Sequence, residues 1–347
     1  MNSFIAVLLA QDGLTTGAIY ALLAIALVML FSVTRVVLVP QGEIISFAGL
    51  TLATVQAGRM PGTLWILVIG GVLVAALDLW AYFRGDRSPS RLRKAALYFA
   101  GPLIVAGLSR AALGLELPQA AAIALTLLIV VPIAPIMYRL AFEPLANASV
   151  LVLLMVAVAI HFALMGLGLL FFGPEGSRTA PLFPEQLMVG GFMLSQQALF
   201  VVLTTLLLMG AMGLFFGRTL RGKALRATAM NRTGARIVGI RTESAGVTAF
   251  LLAGLIGAVS GILISPITTI YYDTGFLIGL KGFMAAIVGG LASYPLAVLG
   301  AVVIGLLETF SSFYASSYKE AIVFALIIPI LMWRSFTTRH AEEEEEE

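Results

Sequence analysis

A chain of 347 residues that is 60% hydrophobic and 11% charged, with a mean hydropathy of +1.02, has too little polar surface to fold as a water-soluble domain. It contains no cysteine, so disulfides and thiolate metal sites are excluded, and its two histidines, His161 and His340, are too few and too far apart for a metal cluster. The formal charge of +3 hides a basic body: setting aside the six terminal glutamates, Glu342–Glu347, lowers Asp plus Glu from 18 to 12 against 21 Lys plus Arg.

Apolar runs of roughly 18–25 residues recur along the chain, the length that spans a hydrocarbon core of about 30 Å. They predict an all-α, polytopic transmembrane helical bundle of about eleven membrane segments. The segments run near 14–33, 44–58, 62–83, 95–115, 118–138, 148–172, 196–217, 244–265, 276–293, 296–315 and 319–334. The amino terminus lacks the basic n-region of a cleavable signal, so the first segment is expected to stay as an anchor. Residues 1–340 are read as one transmembrane domain and 341–347 as an acidic, disordered tail.

Basic residues in short loops set the orientation. Between Arg218 and Arg241 stand seven basic side chains and no acidic one. Placing that loop in the cytoplasm brings Arg35, Arg84, Arg87, Arg91, Arg93, Lys94, Arg139, Arg334 and Arg339 to the same side, 16 of the 21 Lys and Arg in all. The amino terminus is then outside and the carboxyl terminus cytoplasmic.

The same loop reads as two short helices. Ala224, Leu225, Ala227 and Ala229 favour helix, Asn231 and Gly234 interrupt it, and a second helix is predicted with Thr233 as its N-cap and Gly239 near its end. Two readings stay open: a docking element for a partner protein, or a positive-inside loop beside anionic membrane lipid. In the next two segments, small residues recur at steps of four: Ala253, Gly257, Gly261 and Ser265, then Gly282, Ala286 and Gly290. Such stripes let helix backbones approach closely in lipid.

The chain carries no G-x-x-x-x-G-K-[ST], no nucleophile elbow and no H-E-x-x-H, so it is read as neither an ATPase nor another enzyme, with no cofactor of its own and no nucleic-acid partner. Glu43 at a helix end, Asp78 in the third segment and Glu308 in the tenth are the acidic candidates for lining a path, and His161 is a lone histidine in the sixth. Lys281 and Glu308 lie 14 residues before and 13 after Pro295, at matching depth on two segments joined by a tight turn. They are expected either to pair or to find separate partners, with Lys281 reaching the outer headgroups.

Several stretches resemble one known family, the LivH/LivM-type permeases of branched-chain amino acid ABC transporters. "GAIYALLAIALVMLFSV" (17–33) resembles its first core helix, "YRLAFEPLANAS" (138–149) its Arg-Pro-Leu-Arg-like loop, and "GKALRATAMNRTGARIVGI" (222–240) the cytoplasmic loop that contacts the ATPase. The longest match is "GFLIGLKGFMAAIVGGLASYPLAVLGAVVIGLLE" (275–308), followed by "YKEAIVFALIIPILM" (318–332). At the entry to the second helix, "LVPQGE" (38–43) keeps Gly42 and Glu43 but loses the family's usual Asn and Ala. An extra hairpin within about 84–138 exceeds the family's usual eight spans and, being almost wholly apolar, is expected on the lipid-facing periphery.

The resemblance implies a transmembrane permease subunit of an ATP-binding-cassette importer in a bacterial inner membrane, carrying branched-chain or related amino acids. It implies ABC ATPase subunits that bind the ATP, a second permease subunit (homo- or heterodimer) and an external substrate-binding protein. It places Gly222, Lys223, Ala224, Arg226, Ala227 and Gly239 in the ATPase-coupling loop, and Gly17, Tyr20, Gly42, Glu43, Gly282 and Phe283 as candidates for the translocation path. The alternative from another class is a secondary transporter or channel for a small polar solute such as urea or an amide, which calls for buried acidic residues lining a path for coupling ions.

Overall fold

The computed structural model describes residues 3–84, 88–115, 117–189, 192–326, 328–330 and 332. Arg87, Glu116, Arg334, Arg339, His340 and the acidic end Glu342–Glu347 lie outside the described residues. Six helices come first: α1 (Ser3–Thr34), α2 (Gln41–Gln56), α3 (Thr63–Phe83), α4 (Pro89–Ala111), α5 (Gln119–Val130) and α6 (Ile133–Met137). The last runs directly into a π-turn at Tyr138–Phe142. Then follow α7 (Val150–Phe172), a hairpin of β1 (Gln186–Val189) and β2 (Phe192–Ser195), α8 (Gln196–Arg218), α9 (Leu220–Met230) and α10 (Arg232–Ile237). The described chain closes with α11 (Thr242–Ile264), α12 (Thr274–Val288), α13 (Tyr294–Tyr314) and α14 (Lys319–Ala325).

This is a polytopic all-α protein. Among the described residues seven helical stretches are long and apolar enough to cross a membrane: Phe4–Thr34, Thr63–Phe83, Gln119–Phe142, Val150–Phe172, Gln196–Arg218, Thr242–Ile264 and Tyr294–Tyr314. They match seven of the eleven expected segments. Of the other four, α2 and α12 have 16 and 15 residues, about 24 Å and 22 Å of helix against a core of about 30 Å. Three basic residues, Arg91, Arg93 and Lys94, stand in the first turns of α4, and α14 is described only as far as Ala325.

By contacts the chain divides into two units. The first draws on Met1–Val28, Phe183–Leu207 and Lys281–Glu347, the second on Met29–Leu182 and Leu208–Leu280. In the first unit, α1 meets α13 backbone to backbone: a Cβ on Gly17 would stand 2.9 Å from Val302 Cα, inside van der Waals contact. The α12–α13 turn is closed by two bonds, Gly290 N–H to Ile287 O (2.8 Å) and Leu291 N–H to Ala286 O (2.9 Å), the pattern of a Schellman cap. Gly290 has φ +63°, so it ends α12 and is not a packing member of the expected small-residue stripe. The antiparallel hairpin is tight, with a Cβ on Gly300 reaching 2.8 Å from Val288 Cβ.

In the second unit the stripe on α11 works as expected, against α2. Gly257 faces Gln41 and Ile44, Gly261 faces Ile45 and Ala48, and Ala253 O accepts from Gln41 Nε2 at 2.9 Å. The inserted stretch splits in two. α4 buries only Ala95, Pro102 and Ser109. α5 and α6 pack on α2 and α11 and bury Leu125, Thr126, Ile129, Ile133 and Ile136, so this half is core.

Four charged groups lock α3, α4 and the π-turn. Arg139 grips Asp78 with two bonds, Nη1–Oδ2 at 2.7 Å and Nη2–Oδ1 at 2.8 Å, while Arg91 adds a third at 3.0 Å and Glu143 takes Arg139 Nε at 3.2 Å. The Arg139 guanidinium also lies over the Tyr98 ring, 5.0 Å from its centroid. On the chain's other loops, Arg178 donates to Pro266 O and Ile267 O at 2.9 and 2.8 Å, tying the segment after α7 to the α11–α12 connection.

Candidate functional site

The first turn of α2 begins at Pro40 with no side-chain cap and buries Gln41, Gly42 and Glu43 completely. A carboxylate in the first turn complements the helix dipole, but a buried one needs a partner as well. Glu43 finds it in His161 of α7, Oε1 to Nδ1 at 2.6 Å, and the imidazole stacks on Phe276 of α12 with centroids 4.4 Å apart. The second Glu43 oxygen, Oε2, and the Gln41 oxygen, Oε1, are buried and accept no bond.

Between these two polar groups sits Gly42, pressed against Gly275 and Gly279 of α12. A Cβ on Gly42 would overlap the Gly275 carbonyl, and one on Gly279 would stand 3.0 Å from Gly42 Cα. Ser46 completes the contact by accepting from Gly275 N–H at 2.7 Å. Gln41 and Ser46 escaped the sequence reading, and His161 was read as a lone histidine without its partner. The available signal was the rarity of ionisable residues in apolar spans: Glu43 and His161 both needed partners.

In the first unit, Lys281 and Glu308 come together, Nζ to Oε1 at 2.6 Å. Tyr20 of α1 donates its hydroxyl to Glu308 Oε2 at 2.5 Å. Lys281 also stands 3.2 Å from the Glu320 carboxylate, and Lys319 3.6 Å from Glu308. Tyr20, Lys281, Glu308, Lys319 and Glu320 thus form one network of two cations, two carboxylates and a phenol. Of the other path candidates, Gly17 packs on α13, Gly282 faces Leu23 of α1, and Phe283 is half-buried.

The α9–α10 loop is built by its caps. Thr219 Oγ1 accepts from Gly222 N–H (3.0 Å) to start α9, and Asn231 Oδ1 accepts from Gly234 N–H (2.8 Å) to start α10. The N-cap of α10 is therefore Asn231, not Thr233: extended backbone at Asn231 (φ −150°, ψ 103°) aims its amide oxygen at the first turn. Gly239, φ +86°, ends α10, with Gly239 N–H bonded to Arg236 O and Ile240 N–H to Ala235 O. Gly222, Leu225 and Thr228 form the buried face of α9, and α9 packs on α11. Lys223 and Arg226 are exposed, Ala224 and Ala227 half-buried. Leu220, Met230, Ile237 and Val238 are 74% to 88% exposed. Arg232 Nη1 donates to Ala146 O at 2.7 Å, joining this loop to the stretch before α7.

Residues 94–331 match the family described as the branched-chain amino acid transport system / permease component, well over half of the chain. The chain belongs to this family. The permease is 26% identical over 332 residues to the high-affinity branched-chain amino acid transport system permease protein LivH of Salmonella typhimurium, covering 92% of this chain and 91% of the relative. It is 26% identical over 330 residues to the permease protein BraD of Pseudomonas aeruginosa, with 93% and 92% covered. A stretch of 88 residues is 39% identical to the autoinducer 2 import system permease protein LsrC of Yersinia enterocolitica, 25% of this chain and 24% of that one. No solved structure matches the chain. The permease is accordingly a multi-pass transport component and not an enzyme.

Proposed function

We propose that the permease is the transmembrane subunit of an ATP-binding-cassette importer that moves branched-chain or related amino acids across a bacterial inner membrane. Residues 1–340 serve as one permease domain with about eleven membrane segments, amino terminus outside and carboxyl terminus cytoplasmic. Separate ATPase subunits bind the ATP, a second permease subunit completes the path, and an external binding protein delivers the cargo.

The observation that carries this reading is the α9–α10 element, with exposed apolar side chains outside the spans and a buried face fixed on α11. Movement of an ATPase against Leu220, Met230, Ile237 and Val238 passes through Gly222, Leu225 and Thr228 to α11. α11 is packed along α2, whose first turn holds Gly42 and Glu43. The rival reading, a secondary transporter or channel, calls for buried acidic residues that line a path for a coupling ion. Here Asp78 is held by Arg139, Glu308 by Lys281 and Glu43 by His161.

Ala227→Trp tests the coupling. With ATPase and binding protein reconstituted, it lowers ATP-driven uptake at least about tenfold while purified yield and melting stay as in the wild type. Wild-type ATP-driven uptake by the variant removes the docking role of α9. Uptake driven by an ion gradient without any ATPase moves the permease to the rival class.

A further inference from the structure

The amino-terminal end of α4 and the α10–α11 joint enclose an open cleft of about 480 Å³. Ser88, Ser90, Arg91 and Lys94 line one side, Arg236, Arg241 and Glu243 the other. Four cations thus face one carboxylate. Arg91 is committed to Asp78 at 3.0 Å, and Arg236 is steadied by a bond from its Nε to Thr242 Oγ1 at 3.0 Å. Among the described residues, Lys94 and Arg241 hold no carboxylate. Four basic side chains to one carboxylate among the described lining residues, gathered around a space of ligand size, select an anion.

The surroundings say which anion. Lys94 stands at the foot of a stripe on α4 that continues through Leu97, Gly101, Ile104 and Leu108 at helical spacing. Leu97, Ile104 and Leu108 are 51% to 67% exposed, and no atom lies within 4 Å of where a Gly101 Cβ would be, which leaves a dent in the stripe. A soluble anion or the acidic rim of a protein has no use for that apolar track. A glycerophospholipid uses both: its phosphodiester fills the cleft and an acyl chain lies along the stripe, with the lysine at the depth where hydrocarbon gives way to headgroups.

We propose that this cleft is a binding site for an anionic glycerophospholipid, whose headgroup bridges α4 to the α10–α11 joint. The proposal rests on α4 facing lipid and is independent of which cargo the permease carries.

The test uses the purified full chain in neutral detergent, titrated with phosphatidylglycerol, with phosphatidylcholine of the same acyl chains, or with inorganic phosphate. Lipid adducts are read by native mass spectrometry and unfolding temperature by intrinsic fluorescence. Phosphatidylglycerol is expected to be retained and to raise the unfolding temperature, with little effect from the other two. Lys94→Gln should weaken phosphatidylglycerol roughly fivefold, and Lys94→Glu combined with Arg241→Glu more than about tenfold. Arg110→Glu, at the other end of α4, should leave it unchanged. Equal retention of phosphatidylcholine, an equal effect of phosphate alone, or unchanged phosphatidylglycerol binding in Lys94→Gln would each overturn the assignment. Lys94 is exposed, so its neutral substitution tests the site even where the double reversal fails to fold.

Discussion

Lys281 and Glu308 face each other across the α12–α13 hairpin, Nζ to Oε1 at 2.6 Å, with the remaining Glu308 oxygen taken by the Tyr20 hydroxyl. Removing one member of a buried pair strands the other's charge, at a cost of about 3–5 kcal/mol. Lys319, 3.6 Å from Glu308, softens that loss. Lys281→Met should therefore lower the unfolding temperature clearly, and adding Glu308→Leu should restore part of it, since Lys319 and Glu320 can still pair at 3.4 Å. A double variant no more stable than Lys281→Met, read by thermal unfolding in detergent, would show that the pair does not act as a unit.

The Asp78 cluster predicts an order of effects. Asp78 is buried, with 1% of its side chain exposed, and receives two bonds from Arg139. Asp78→Asn should destabilise by about 3 kcal/mol, because the Arg139 charge stays buried without its bidentate acceptor. Arg91, 31% exposed, contributes one bond, and Arg91→Ala should cost under about 1 kcal/mol. Denaturant unfolding checks the order. Equal effects would mean that the bidentate grip adds nothing.

Glu43 and His161 give an asymmetric pair of substitutions. His161→Leu takes the imidazole from a buried carboxylate whose other oxygen accepts no bond, so it should cost about 3 kcal/mol or more. Glu43→Gln keeps an oxygen for the imidazole and removes the charge, and should cost less than half as much. Urea unfolding of both variants is the measurement. Reversal of the order would mean that the buried charge is satisfied elsewhere.

Asn231→Ala should loosen α10 by about 1 kcal/mol, since the amide oxygen is the only side-chain cap on that six-residue helix. Hydrogen exchange at Gly234 and Ala235 should rise while the exchange of α11 stays as it was. Thr233→Ala, at the position that does not cap, should leave both unchanged.

Relationships fixed by short range in the chain were legible in the sequence. The Lys281–Glu308 register follows from a tight turn and near-equal counts on either side of Pro295. The break between α9 and α10 follows from a cluster of capping residue types, though two adjacent candidates, Asn231 and Thr233, hid which one caps. Links between distant helices were not legible. Helix rotation decides them, and apolar residues on every side leave rotation unspecified in a span such as α7. His161 and Glu43 are 118 residues apart, so each looked solitary. Asp78 and Arg139 failed to connect for the same reason, compounded by a π-turn that shifts the side-chain register at Arg139. The core role of α5 and α6 was hidden too, because an apolar helix reads alike whether lipid or protein covers it.

The meeting of Gly42 with Gly275 and Gly279 has a genetic consequence. Every missense change in a glycine codon, whichever base mutates, adds at least a Cβ, and at Gly42 that carbon lands on the Gly275 carbonyl. Alanine, the mildest replacement available, is already too large there and at Gly275, so a saturation library should return these two codons almost unaltered. Drift cannot widen the contact by degrees, since no residue lies between hydrogen and methyl. A lineage that reshapes the start of α2 has to move the α12 backbone first, through changes elsewhere in the helix, and only then can Gly42 vary.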